Sequence, residues 1–187
     1  MRKVVLYALL SLDGVAESPE EWVFDFDDEM EANLAQVIER QDTVLLGRRT
    51  YDEWAGYWPA SDIEPFASFI NGVHKHVVTS STPSLPWASS TVVDRPLHEH
   101  VTELKGGDGG DVGVHGSIEL ARSLLRAGLV DELRLVVFPV LAGQGRRLVE
   151  SVGSLRRLGL HGVTRTASGG LLLEYDVENG ASGHGPG

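Results

Sequence analysis

The stretch "TVLLGRRTYDEW", residues 43–54, sets the reading of the whole chain. An apolar run stops at Gly47, two arginines follow, and the spacing then turns helical. A short buried strand that breaks at glycine and opens a helix is half of a βαβ unit. The pattern recurs downstream. Val112 to His115 is apolar, Gly116-Ser117 is a turn, and "IELARSLLRAGLV" is amphipathic, with Leu120, Leu124 and Leu125 on one face and Gly128 as its stop.

Working outward, residues 3–11 read as a strand and 27–41 as a helix with Met30, Leu34, Val37 and Ile38 at helical spacing. Residues 74–81 read as a strand ending in hydroxyls, 89–93 as a weak strand, and 95–107 as a helix. Residues 131–143 read as one long strand, and 158–177 as two strands joined at Ser168-Gly169-Gly170. Strands alternating with helices predict an α/β fold with a mostly parallel sheet and an antiparallel C-terminal edge. One domain over residues 1–178 is expected, followed by a disordered tail over 179–187, which lacks large apolar side chains.

The 187 residues carry 16 basic and 27 acidic side chains, a net charge of -11, which argues against a nucleic-acid partner. The absence of cysteine excludes disulfides, thiolate metal sites and a cysteine nucleophile. "MRKVVLYALLS" reads as a buried first strand rather than a leader. No stretch reaches the roughly 20 apolar residues of a membrane helix. A cytoplasmic location and no membrane partner are expected.

Two adjacent arginines on a turn, in so acidic a chain, ask for an anion. Gly47-Arg48-Arg49-Thr50, Thr79-Ser80-Ser81 and Gly116-Ser117 all lie at strand ends, where open parallel sheets bind ligands. Two of these ends start helices, which offer free N–H groups and a partial positive charge. Thr50-x-x-Glu53 matches a capping box, and Ser117 is a good N-cap. The set suits a pyrophosphate plus a separate phosphate monoester, with the monoester on the arginine pair. NADP carries both groups. Neither G-x-G-x-x-G nor a P-loop is present. His74-x-His76 has no carboxylate pattern beside it, so no metal is expected, and His98 and His100 read as surface residues of the 95–107 helix.

"SLDGVA", "LLGRRTYDEW", "VVTSS", "VHGSIELARSLLRAGLVDELRL" and "FPVLAGQGRRL" occur in this order. The set resembles the dihydrofolate reductase-like superfamily, and within it the RibD C-terminal domain of riboflavin biosynthesis reductases. The resemblance runs from about Val4 to Val177. It implies a three-layer fold around a mostly parallel sheet of about eight strands, NADPH as cofactor, a small-molecule substrate and a homodimer. By the same resemblance Gly47, Arg48, Arg49 and Thr50 meet adenosine-side phosphates, and Thr79, Ser80 and Ser81 lie near the 2′-phosphate. Gly116, Ser117 and Ile118 lie under the pyrophosphate. The implied reaction is that of a 5-amino-6-(5-phosphoribosylamino)uracil reductase, hydride transfer to a pyrimidine-type or related substrate.

For the acid, Asp13 in the "SLDG" loop is the candidate for touching substrate, against a reading as a turn residue. Glu31 and Asp27, on the first helix, are the candidates for a dihydrofolate reductase-type carboxylate. Their local readings are a solvated flank for Glu31 and an N-cap for Asp27. Dihydrofolate reductase activity and a non-catalytic NADPH-binding module are the alternative functions.

Overall fold

The computed structural model describes residues 1–150 and 155–178, so the tail expected over 179–187 lies outside the described residues. In chain order the elements are β1 (Val4–Ser11), α1 (Asp28–Glu39), β2 (Gln41–Gly47), α2 (Arg48–Tyr57), α3 (Phe66–Gly72), β3 (His74–Val78) and β4 (Ser90–Val93). They continue with α4 (Leu97–Gly106), β5 (Asp111–His115), α5 (Ile118–Ala127), β6 (Glu132–Phe138), β7 (Leu158–Arg165) and β8 (Leu171–Val177). The strands form one sheet in the order β4-β3-β2-β5-β1-β6-β8-β7. Every pairing from β4 to β6 is parallel, and β8 alone runs against its neighbours.

The period-2 alternation of the strands divides the core in two. Val5, Tyr7, Val44, Leu46, Val136 and Phe138 face α1, α2 and α3. Val4, Leu6, Leu45, Val112, Val114 and Leu133 face α4 and α5. Strands covered on both faces are apolar throughout, which is why "TVLL" does not alternate. Helix α5 buries Leu120, Leu124 and Leu125, each side chain contributing roughly 1.5–3 kcal/mol. Gly128, at φ 69°, closes it in the left-handed conformation that a side chain would strain.

Three expectations are corrected. The strand expected over 131–143 stops at Phe138, because Pro139 has no N–H to continue the ladder. Residues 139–148 instead form a loop zipped onto residues 11–17: Leu148 N–H donates to the Gly14 carbonyl at 3.0 Å, and Ala16 N–H to that of Arg146 at 3.0 Å. The capping box is not formed, since α2 begins at Arg48 with Gly47 as its N-cap, three residues before Thr50. His100, expected at the surface, is buried, with its Nε2 2.9 Å from His76 Nδ1 and Arg95 donating to its Nδ1.

Burial lowers the pKa of His76 to about 4 and of His115 to about 3, and lowers that of His100. Each binds a proton more weakly folded than unfolded. Their contribution to stability is therefore intact above pH 6.5, the ordinary histidine value, and is lost as pH falls from there toward the folded values. Melting temperatures should drop between pH 7 and roughly pH 5, above the carboxylate range. A flat profile there would contradict neutral burial of these rings.

Candidate active site

The carboxyl ends of β2, β3 and β5 come together through side chains that the turns themselves supply. Ser117 is the N-cap of α5, yet its hydroxyl does not cap that helix; it accepts the Gly47 N–H at 3.0 Å. This bond ties the start of α2 to the start of α5, so two helix N-termini open side by side. Thr50 is buried, and its hydroxyl points at the Gly116 carbonyl at 3.5 Å. Ile118 is buried beneath the α5 turn.

Arg48 joins the third strand end. Its Nε donates to Asp52 one helical turn on, while Nη1 donates to Ser81 Oγ at 2.6 Å and Nη2 to Ser84 Oγ at 3.0 Å. Asp52 also accepts the Ser84 N–H at 2.9 Å, so one carboxylate fixes both the guanidinium and the loop it reaches. The Thr79 hydroxyl accepts the Ser81 N–H at 3.1 Å and shapes the same loop. Ser80 is exposed there. Arg49 points elsewhere: it is exposed and donates to Glu53 at 2.9 Å.

The two glycines differ in kind. Gly116 has φ +64°, and a Cβ there would lie 2.5 Å from Trp54 Cζ2, so the fold itself demands glycine. Gly47 has an ordinary φ of -77°, and its added Cβ would meet nothing nearer than 3.7 Å. Nothing within the protein requires glycine at 47.

The three candidate acids are placed differently. Asp13 accepts the Ser11 hydroxyl at 2.7 Å and the Ala142 and Gly143 N–H groups at 2.9 and 3.0 Å. These bonds, that of Ser11 foremost, hold its pKa down at about 2, so it is ionised at neutral pH. Asp27 caps α1 through the Met30 N–H at 3.0 Å and accepts both the N–H and the hydroxyl of Ser168 in the β7–β8 turn. Burial is the largest single influence and pushes its pKa up, but these hydrogen bonds together outweigh it, so the net shift is downward. Glu31 is exposed on α1. The structure brings Asp13 to the carboxyl end of β1, beside the 139–148 loop, and spends Asp27 on joining a helix to a hairpin.

With this geometry in view, comparison with known proteins is direct. The sequence matches the RibD C-terminal domain over residues 2–172. The chain belongs to the RibD C-terminal domain family. A curated relative in Bacillus subtilis, the uncharacterised protein YyaP, is 30% identical over 178 residues, covering 91% of this chain and 92% of its own. Among solved structures, a Shewanella protein assigned to riboflavin biosynthesis superposes with a TM-score of 0.77 at 17% identity, covering 94% of this chain and 99% of that one. A dihydrofolate reductase from Enterococcus faecalis, solved with NADP(H), superposes at 0.58 with 12% identity, over 94% and 96% of the two chains. At such identities these neighbours establish a dihydrofolate reductase-like fold for this RibD-type domain.

Sequence reading missed Asp52, Ser84 and Trp54. The i,i+4 spacing of Arg48 and Asp52 was the available signal for the first. Ser84 is brought in only by the path of the loop after β3. Trp54 reads as an ordinary helix residue until Gly116 is seen packed beneath its ring.

Proposed function

We propose that the protein is an NADPH-dependent reductase, with NADPH lying across the carboxyl ends of β3, β2 and β5. The observation that carries this reading is the Ser117–Gly47 hydrogen bond, which sets two helix N-termini side by side as a pyrophosphate cradle. Arg48, with Nη1 and Nη2 on serine hydroxyls that a phosphate monoester can replace, suits the 2′-phosphate. Glycine at 47, which packing does not demand, leaves room for close approach of the cofactor.

NADPH bound there supplies a hydride, two electrons and a hydrogen, to a C=N or C=O carbon; one proton completes the N–H or O–H, and NADP⁺ is released. Among the chain's own residues, Asp13 holds the 139–148 loop against the end of β1. Its depressed pKa leaves it without a proton to give at neutral pH, so Asp13 is not the proton donor. The family and its riboflavin-assigned neighbour favour a pyrimidine-type substrate over folate. Asp27, whose carboxylate is already spent on Met30 and Ser168, does not favour the dihydrofolate reductase reading.

A homodimer would use the face of β7 where Leu158, Leu160 and Val163 stand exposed beside the partners of β8. No helix among the described residues is long and apolar enough to cross a membrane, in keeping with a cytoplasmic enzyme.

The test uses Gly47→Ala. Its melting should change by less than about 1 kcal/mol, because the backbone is ordinary and the space is open. NADPH binding, followed by calorimetry, should fall by roughly ten-fold or more. Unchanged affinity would remove the cradle from the proposal.

A further inference from the structure

Two loops at the carboxyl end of the sheet are fastened together, and they carry an arginine whose forked end is unused. Residues 11–17 follow β1, and residues 139–148 follow β6. The Ala16 and Glu17 N–H groups both donate to the Arg146 carbonyl, at 3.0 and 3.2 Å. Gly145, at φ +107°, lets the loops close, since a Cβ there would lie 2.8 Å from Val15 Cγ1. The Glu17 carboxylate then holds residue 146 twice. One oxygen accepts the Arg146 N–H at 2.9 Å, and the other accepts its Nε at 2.6 Å. These bonds, the backbone one foremost, lower the Glu17 pKa and keep it ionised at neutral pH. Neither Nη atom of Arg146 has a hydrogen-bond partner among the described residues, and Nη1 stops 3.7 Å from Glu119. Arg48 is presented in the same way, with Nε pinned by a carboxylate and both Nη atoms aimed outward from it.

Two further contacts set the place. Glu119 is the second residue of α5, so the Arg146 guanidinium reaches the first turn of that helix. Arg49 is the second residue of α2, and its charge also acts on Glu17. Glu17 and Arg146 therefore stand against the two helix starts that the Ser117–Gly47 bond sets side by side. The other arginines there are committed. Arg48 is turned to Ser81 and Ser84, and Arg49 to Glu53. Arg122 donates to the Leu148 and Arg147 carbonyls and to Glu119. Arg147 folds back on Asp13, donating Nε to its carbonyl at 2.9 Å, with Nη2 3.8 Å from its carboxylate. Of these five arginines, Arg146 has the fork left to meet a diphosphate at the cradle.

We propose that Arg146 is a further cofactor-binding residue, closing on the pyrophosphate from the side of the 139–148 loop. The inference rests on the NADPH reading above and adds to it a second arginine with a different task. Arg48 meets a group that NADPH has and NADH lacks; Arg146 meets a group that both share. The two loops are joined before the cofactor arrives, so holding the arginine in place costs little further ordering.

Arg146→Ala tests it, by calorimetric titration of the full chain with NADPH, NADH and 2′-AMP, which has the 2′-phosphate and no pyrophosphate. NADPH and NADH should each bind roughly ten-fold or more weakly, by the same factor, while 2′-AMP binds as to the parent. A site damaged in general would lose all three. Unchanged binding of NADPH and NADH, loss of NADPH alone, or a parallel loss of 2′-AMP overturns the inference. Arg146→Gln, which keeps the stem and removes the charge, is read in the same way if the alanine variant does not fold. The parent titration tests the underlying reading separately: a parent that binds neither NADPH nor NADH removes the cofactor site and this residue with it, whereas a parent that binds both leaves the variant to decide.

Discussion

Arg48→Ala should weaken NADPH binding by about 1.5–3 kcal/mol, the worth of charge-assisted hydrogen bonds to a phosphate. That is roughly a ten- to 150-fold rise in dissociation constant. NADH, which has no 2′-phosphate, should bind almost as before. The structure separates the two arginines that the sequence leaves equivalent. Arg48 has Nε held by Asp52 and both Nη atoms on Ser81 and Ser84, so it is already aimed into the hydroxyl loop. Arg49 has an exposed side chain whose partner is Glu53 on the same helix, a solvent-screened surface pair that contributes little. Arg49→Ala should accordingly have the smaller effect. Calorimetric titration of both variants with both cofactors checks this. An equal loss for NADPH and NADH, or a larger loss from Arg49→Ala, would refute the assignment of Arg48 to the 2′-phosphate.

Gly116→Ala should destabilise the fold by roughly 2–4 kcal/mol. Holding alanine at φ +64° costs about 1 kcal/mol, and forcing a methyl to 2.5 Å from the Trp54 ring adds about 1–3 kcal/mol of overpacking. In a chain of 187 residues this is a drop of roughly 5–15 °C in melting temperature. Urea unfolding should show a lower midpoint with the slope unchanged. The contrast with Gly47→Ala is the informative part: two glycines in similar turns, one needed by the fold and one with no packing reason to be glycine. If Gly116→Ala melts like the parent, the Trp54 ring does not pack on that turn as described.

Much of this architecture is legible in the chain. The βα grammar of residues 43–54 and 112–127 is strong because buried parallel strands and an amphipathic helix leave unmistakable periodicities. The hairpin at Ser168-Gly169-Gly170 shows itself by its glycines, and Gly169 has the positive φ, 90°, that such a turn calls for. The end of β6 is less legible, because Val140, Leu141 and Ala142 continue an apolar run that Pro139 has already ended. What holds that loop is Asp13, 129 residues away in sequence from Ala142, a pairing no local pattern encodes.

The candidate site shows the same division. Its turns were readable as helix starts, but the division of labour within them was not. Ser117 serves Gly47 rather than its own helix, and Thr50 lies inside α2 rather than before it. Lys75 is the extreme case. It is fully buried within β3, donating to the Ile70 and Val73 carbonyls at 2.9 Å over the face of Trp87. It satisfies the C-terminal carbonyls of α3, a need that exists only once that helix is packed.

The central claim is that the carboxyl ends of β3, β2 and β5 form one NADPH site, and a crystal structure with NADPH tests it most directly. The account predicts the 2′-phosphate within hydrogen-bond distance of Arg48 Nη atoms and the Ser81 or Ser84 hydroxyl. It predicts the pyrophosphate between Gly47 and Ser117, at the starts of α2 and α5. NADPH bound at the opposite end of the sheet, or with its 2′-phosphate away from Arg48, would contradict it.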